Sequence, residues 1–213
     1  VSTDEVFGPL GMTDPPATAD APYRPSSPYS ASKASADHLV RAWVRSFGVA
    51  ATTSCCTNNY GPRQHVEKFI ARQITTTLDG HRPRLYGDGR HIRDWIHVTD
   101  HIRAIWTILH HGRIGQTYLV SAENQASNLE VVHLILDLMG HPMDDYDLVA
   151  DRPGHDLRYA LDCTRTREEL GWHPQYTDLR AGLADTIDWY RANEAWWRPD
   201  KAATEASYAR TGQ

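Results

Sequence analysis

The sequence is short of cysteine, of long apolar runs and of basic blocks, and each shortage excludes something. Three cysteines in 213 residues, Cys55, Cys56 and Cys163, make no disulfide framework. Adjacent strand residues point to opposite faces, so no 55–56 bridge is expected, and the count fits a reducing cytoplasm. No stretch reaches the ~18 apolar residues of a membrane span, and residues 1–20 lack a basic-then-apolar signal pattern. No membrane partner is expected. A formal net charge of −5 with no basic block argues against a nucleic-acid partner. The 12 histidines show no H-E-x-x-H or Cys/His ligand spacing, so no metal is expected. A dinucleotide fingerprint is also missing. Gly87-Asp88-Gly89 lacks the third glycine and reads as a hairpin turn between two strands.

What is present is an ordinary globular balance, 40% hydrophobic and 23% charged, with patterning that alternates strand and helix. "VSTDEVFG" reads as a strand end and the turn after it. Six prolines between Pro9 and Pro28 make a loop. Leu39, Trp43 and Phe47 recur every four residues up to Gly48, which predicts a helix over 29–47 with that face buried. A strand and loop follow through "SCCTNNYGP", then a helix over 65–79 with Phe69, Ile70, Ile74 and Leu78 on one side. Asp100 is expected to cap a helix to Leu109, and "QTYLVS" to be a strand. Ser127 or Asn128 caps a helix ending at Gly140. Residues 159–161 read as a short strand, followed by helices ending near Gly171 and Tyr190. The polar stretch 199–213 reads as a frayed tail.

Two clusters carry chemistry. In "YSASK", Tyr29 and Lys33 stand at i and i+4, on one helix face. A nearby ammonium stabilises a phenolate, so the pair suits a tyrosine base, although the spacing alone fits a solvated face as well. In "STDE", Asp4 and Glu5 are adjacent. Two close carboxyls split their pKa values, which suits one acid and one base. A regular strand would aim them at opposite faces, so both reach one substrate only if the strand ends at Thr3 and the chain turns there. The bland alternative is a helix N-terminus with acidic first-turn residues.

These stretches, with "PSSPYSASKASADHLVRAW", "TNNYGP", "IRDWIHVTDH" and "ADRPGHDLRYALD", resemble the extended short-chain dehydrogenase/reductase family acting on nucleotide sugars. Within it the resemblance is to the dTDP-glucose 4,6-dehydratase branch, and it runs to about Trp197. It implies an α/β fold: the C-terminal half of a doubly wound parallel Rossmann sheet, plus a smaller α/β nucleotide-sugar domain. The Rossmann part is expected at 1–62 and about 92–122, the substrate domain at 63–91 and 123–198.

The resemblance implies NAD as cofactor, dTDP-glucose as substrate and a homodimer serving deoxysugar biosynthesis. Tyr29 takes the proton of the sugar 4-hydroxyl and Lys33 lowers its pKa and binds the nicotinamide ribose. Thr3 bonds the 4-hydroxyl, Glu5 takes the C5 proton, and Asp4 protonates the departing C6 hydroxyl. Asn58 contacts substrate and Asn59 the cofactor. Arg93, Arg152 and His155 match diphosphate- and nucleotide-binding positions; Asn124, Tyr159 and Lys68 match substrate positions less specifically. The departures are Phe7 in place of Tyr, Ser121-Ala122 in place of a glycine pair, and Ala71-Arg72 after Lys68.

The Gly-rich turn that cradles a dinucleotide pyrophosphate does not occur in these residues. The expectation is that roughly a hundred residues of the first mononucleotide-binding half are missing. The chain by itself is then expected to be incomplete and inactive. The alternatives are a related epimerase or decarboxylase, or a non-catalytic remnant or binding subunit.

Overall fold

The computed structural model describes residues 1–151 and 156–211. The chain divides into two compact units. The first comprises Val1–Asn59, His91–Gln125 and Asp156–Thr177; the second comprises Tyr60–Arg90, Ala126–His155 and Asp178–Gln213.

The first unit is built on a parallel sheet in the order β1 (Ser2–Thr3), β2 (Thr53–Cys56), β6 (Thr117–Val120). Ser2 pairs with Cys55 and Thr3 with Cys56, while Thr53 pairs with Thr117. β3 (Asn58–Tyr60), β5 (Ile92–His97) and β7 (Gln125–Ser127) form a second three-stranded sheet. α1 (Pro28–Phe47) follows β1, and α3 (Val98–His111) follows β5. α1 starts where its sequence says it should. Ser27 and Ser30 form a reciprocal capping box, Pro28 takes the first turn, and Gly48 closes the helix at φ 67°.

The buried face of α1 differs from the expected one. Leu39, Trp43 and Phe47 are 62%, 54% and 71% exposed, and the buried positions are Ser30, Ala34 and Asp37. Small side chains let the helix approach the sheet closely. Asp37 is accommodated because Ser2 Oγ and Tyr23 Oη donate to its Oδ2 at 2.6 and 2.9 Å. The apolar core of the unit is supplied instead by Val6, Phe7, Cys55, Leu119, Leu161 and Cys163.

Two further expectations are corrected here. Asp100 does not cap α3: His97 does, its ring accepting from the Thr99 amide at 3.3 Å. Asp100 is buried and accepts from the amides of Gln175 and Tyr176 at 2.8 to 3.0 Å, so its carboxylate holds a distant loop. Residues 159–161 are not a strand. Leu161 and Arg158 make isolated parallel bridges to Ala17 and Ile92, all within the first unit.

In the second unit, β4 (Arg84–Tyr86) pairs parallel with β8 (Asp147–Val149). The expected hairpin at Gly87-Asp88-Gly89 is therefore not one: β4 and β5 lie in different sheets, and the turn is closed by the Gly89 amide on Tyr86 O at 3.2 Å. α2 (Phe69–Leu78) and α4 (Asn128–Met139) cover this pair, with Leu85, Val132 and Leu136 buried together. Ser127 and Glu130 form the capping box of α4 and Gly140 ends it.

Two helices complete the unit: α6 (Leu179–Ala192) and α7 (Glu194–Thr211). A further helix, α5 (Thr164–Leu170), lies in the first unit and ends at Gly171. The expected frayed tail from 199 is helical instead. Arg72 on α2 makes two hydrogen bonds to Glu205, Lys201 Nζ bonds Thr76 and Glu205, and the Arg72 guanidinium lies 3.6 Å from the Tyr208 ring centroid. Polar composition hid this anchoring because the partners are charged, not apolar.

Candidate active site

The chain leaves β1 at Thr3 and turns at once into a single 3-10 turn over Asp4–Phe7. Thr3 caps the turn, its Oγ1 accepting from the Glu5 amide at 3.4 Å. This is the change of direction that two adjacent carboxyls need to serve one substrate. Gly8 closes the turn at φ 81°, and a Cβ there would lie 2.3 Å from the Arg24 carbonyl oxygen. The proline-bearing loop is thus pressed against the turn, with the Arg24 amide on Val6 O at 2.9 Å.

Asp4 is buried, and Thr3 Oγ1 donates to its Oδ1 at 3.2 Å. Its Oδ2 is buried with no partner among the described residues. Burial first, then the charge of Glu5, pushes the carboxyl up to about 7. Asp4 therefore keeps a proton for a large share of the time near neutral pH, where an ordinary aspartate would be ionised. Tyr29 opens α1 and is 54% exposed. Its phenol is pushed upward by burial, then by Glu5, Cys56 and Asp4. That is the opposite sign to the lowering expected from Lys33. The reason is local: burial disfavours the phenolate first and the neighbouring acidic groups add to it, while Lys33 Nζ donates to Val1 O at 2.8 Å.

The other predicted residues are distributed as follows. Asn58 and Asn59 open β3, both half-buried. Asn59 Nδ2 donates to Thr57 O at 3.1 Å, and its Oδ1 lies 2.8 Å from His101 Nδ1. Arg93 is buried and donates to the carbonyls of Ile92, Asp156 and Leu157, with its guanidinium 4.6 Å from the Tyr159 ring centroid. Tyr159 is buried and its hydroxyl donates to Asp156, as does that of Ser26. Asn124 Nδ2 donates to Tyr176 O at 3.1 Å. All of these lie in the first unit, with Thr3, Asp4, Glu5, Tyr29 and Lys33. Lys68 lies in the second unit, exposed, immediately before α2. Arg152 and His155 lie outside the described residues.

Four groups near these positions were not singled out by sequence. Asp94 is buried, and Ser121 Oγ donates to its Oδ2 at 2.6 Å. Burial outweighs that bond and lifts Asp94 to about 6. Asp156 ties Ser26 to Tyr159. Cys56 is close enough to act electrostatically on Tyr29. His101 is the partner of Asn59. For these four, sequence offered no signal.

A family model described as GDP-mannose 4,6 dehydratase matches residues 1–186. The chain belongs to that family. It is 61% identical, over 214 residues, to the dTDP-glucose 4,6-dehydratase of Mycolicibacterium smegmatis, a match covering 100% of this chain and 65% of the relative. The chain thus spans about 65% of the length of that curated relative. Two solved members of the family are similar in structure. One is the dTDP-glucose 4,6-dehydratase of Bacillus anthracis in complex with NAD, at TM-score 0.89 and 44% identity, covering 93% of this chain and 63% of that one. The other is the dTDP-glucose 4,6-dehydratase of Streptomyces venezuelae with NAD and TYD bound, at TM-score 0.90 and 43% identity, covering 93% and 61%. The family is a branch of the extended short-chain dehydrogenases/reductases, and the chain carries part of its Rossmann-type α/β fold.

Proposed function

We propose that this chain supplies the catalytic groups of an NAD-dependent dTDP-glucose 4,6-dehydratase, a lyase of deoxysugar biosynthesis. The observation that carries the reading is the turn at Thr3–Phe7, which sets a buried Asp4, its pKa raised to about 7, beside Glu5. An enzyme that only oxidises and reduces a hydroxyl needs no such acid and base pair. Elimination of water needs both.

Tyr29 and Lys33 stand one helical turn apart on α1, and Tyr29 lies near Asp4 and Cys56 at the carboxyl ends of β1 and β2, where sheets of this kind bind ligands. The exposed phenol and the neighbouring ammonium fit a nicotinamide ribose. The pyrophosphate contact is assigned to none of these residues. Bound NAD supplies hydride acceptance at C4 and hydride donation at C6. Tyr29 removes the proton of the 4-hydroxyl, which Thr3 bonds, with Lys33 one helical turn along α1. Glu5 then takes the C5 proton, acidified by the new 4-keto group. Asp4 gives its proton to the C6 hydroxyl, which leaves as water. Glu5 returns its proton to C5 as C6 is reduced, giving the 4-keto-6-deoxy sugar. Asn59 faces the cofactor, and Asn58, Arg93, Asn124 and Tyr159 of the first unit serve the nucleotide sugar.

The exposed Leu39, Trp43 and Phe47 on α1 support a homodimer through that helix. Three free cysteines support a reducing, cytoplasmic setting.

The test is to follow dTDP-glucose and NAD with the protein carrying this chain and its Asp4→Asn and Glu5→Gln variants. Both variants should form the reduced cofactor, while release of the 4-keto-6-deoxy product falls about 10²–10⁴-fold. Undiminished product release in both would sink the reading.

A further inference from the structure

We propose that His101 is a positioning residue: it donates its Nδ1 proton to Asn59 Oδ1 and holds the Asn59 carboxamide in one orientation for the bound cofactor. The second half rests on the reading of Asn59 as a cofactor contact; the first half stands on geometry alone.

The geometry has three parts. Asn59 Nδ2 lies 3.1 Å from Thr57 O and 3.4 Å from Cys56 Sγ, both acceptors, so the amide nitrogen belongs on that side. Rotating the carboxamide by half a turn would set Oδ1 against the Thr57 carbonyl. The oxygen therefore faces His101 Nδ1 at 2.8 Å, and that contact is a hydrogen bond only if Nδ1 carries a proton. The other ring nitrogen, Nε2, is buried with no partner among the described residues. In the Nε2–H tautomer two acceptors would meet at 2.8 Å and a buried N–H would be left unpaired. Both are costly, so the Nδ1–H tautomer follows.

His101 itself is held firmly. It lies in the first turn of α3 and is buried. Burial pushes the imidazole down to about 4, so it is neutral at pH 7 and has one proton to give. α3 thereby reaches across to β3 and fixes a half-buried side chain near the start of that strand. The Thr57 carbonyl and Cys56 Sγ already set the side that the amide nitrogen takes, and the His101 donor secures the oxygen of Asn59 as well. With His101 in place it offers one pattern, at no ordering cost on binding.

The experiment compares the protein carrying this chain with its His101→Phe and His101→Gln variants. Phe keeps the ring and removes the donor; Gln restores an N–H. The first readout is ¹⁵N NMR of the ligand-free protein. It should show a neutral Nδ1–H imidazole at His101 and a slowly exchanging Asn59 side-chain amide, which exchanges faster in His101→Phe. An Nε2–H imidazole, or an Asn59 amide indifferent to the substitution, overturns the proposal. The second readout is NAD affinity by calorimetry. His101→Phe should weaken it about tenfold and His101→Gln should recover part of the loss, with the KM for the sugar nucleotide unchanged. Equal losses in both variants, or loss confined to the sugar-nucleotide KM, overturn the cofactor half. Failure of dehydration itself would count against the enzyme reading and would leave the NMR result to decide the His101–Asn59 contact.

Discussion

Ser121 Oγ donates a 2.6 Å hydrogen bond to Asp94 Oδ2 inside the first unit, and both residues are buried. The same hydroxyl accepts from the Glu123 amide at 2.9 Å, so one side chain satisfies a carboxylate and a backbone donor together. Ser121 stands where related chains were expected to carry glycine, and its side chain is directed into this pair. Ser121→Ala removes the hydroxyl from both and leaves the Asp94 carboxyl only its backbone contacts with Glu123 and Asn124. It should cost about 1–3 kcal/mol, read as a lower urea midpoint at pH 7 with an unchanged slope. A variant as stable as the parent would show that water replaces the hydroxyl.

Asp4 makes the opposite kind of contribution. Its folded pKa, about 7, lies above the ordinary 3.8, so the folded chain binds this proton more tightly than the unfolded one. The sign follows from linkage: stability falls as pH rises from about 4 to about 7, and the full penalty is present above that. Asp4→Asn keeps the shape and removes the ionisation. Each tenfold difference in proton affinity between the folded and unfolded chain is worth about 1.4 kcal/mol. The variant should therefore be more stable than the parent at pH 8, on the order of a few kcal/mol, with the gap closing toward pH 4. Thermal unfolding of both proteins across that range measures it. A gap that widens toward acid would reverse the assignment.

Much of this site was legible because its geometry is local. Thr3, Asp4 and Glu5 are consecutive, and the need for a turn there followed from strand alternation alone. The Tyr29–Lys33 spacing and the Gly48, Ser127 and Gly140 helix ends were legible for the same reason. What misled was burial decided at a distance. The Leu39, Trp43, Phe47 stripe predicted a buried face, yet Ser30, Ala34 and Asp37 lie against the sheet, since the partners of Asp37 are Ser2 and Tyr23. The Gly87–Gly89 turn looked like a hairpin because adjacency in sequence suggests pairing, whereas β4 finds β8 more than 60 residues on. Asp100, His101 and Glu205 likewise take partners that no short window contains.

Glu205 anchors α7 to α2. Burial alone would raise its pKa, but hydrogen bonds from Arg72 and Lys201 outweigh it and hold the carboxyl at about 2. A depressed carboxylate stabilises the fold above its unfolded pKa, and that stabilisation is lost as pH falls from about 4.5 toward 2. Glu205→Gln leaves two buried cations short of a counter-charge. Because the Glu205 side chain is 38% exposed, the cost should be about 1–3 kcal/mol, below that of breaking a fully buried pair. Hydrogen exchange over residues 194–211 should speed up in the variant while β2 and β6 stay protected. Uniform exchange across both units would mean that α7 is held by something other than this cluster.

The exposed face of α1 bears on the proposed dimer. Trp43 and Phe47 have ring centroids 4.7 Å apart and continue the stripe begun by Leu39. None of the three is needed by the buried stripe of Ser30, Ala34 and Asp37, so charge introduced here should leave the fold intact. Trp43→Glu combined with Phe47→Glu should therefore convert a dimer to a monomer in sedimentation velocity, with the circular dichroism spectrum unchanged. Apolar contact over such a patch is worth roughly 25 cal/mol per Å², so two buried carboxylates outweigh it many times over. A double variant that sediments as a dimer would place the interface elsewhere on the surface. A parent that sediments as a monomer at micromolar concentration would remove the homodimer from the functional reading while leaving the chemistry of Asp4, Glu5 and Tyr29 untouched.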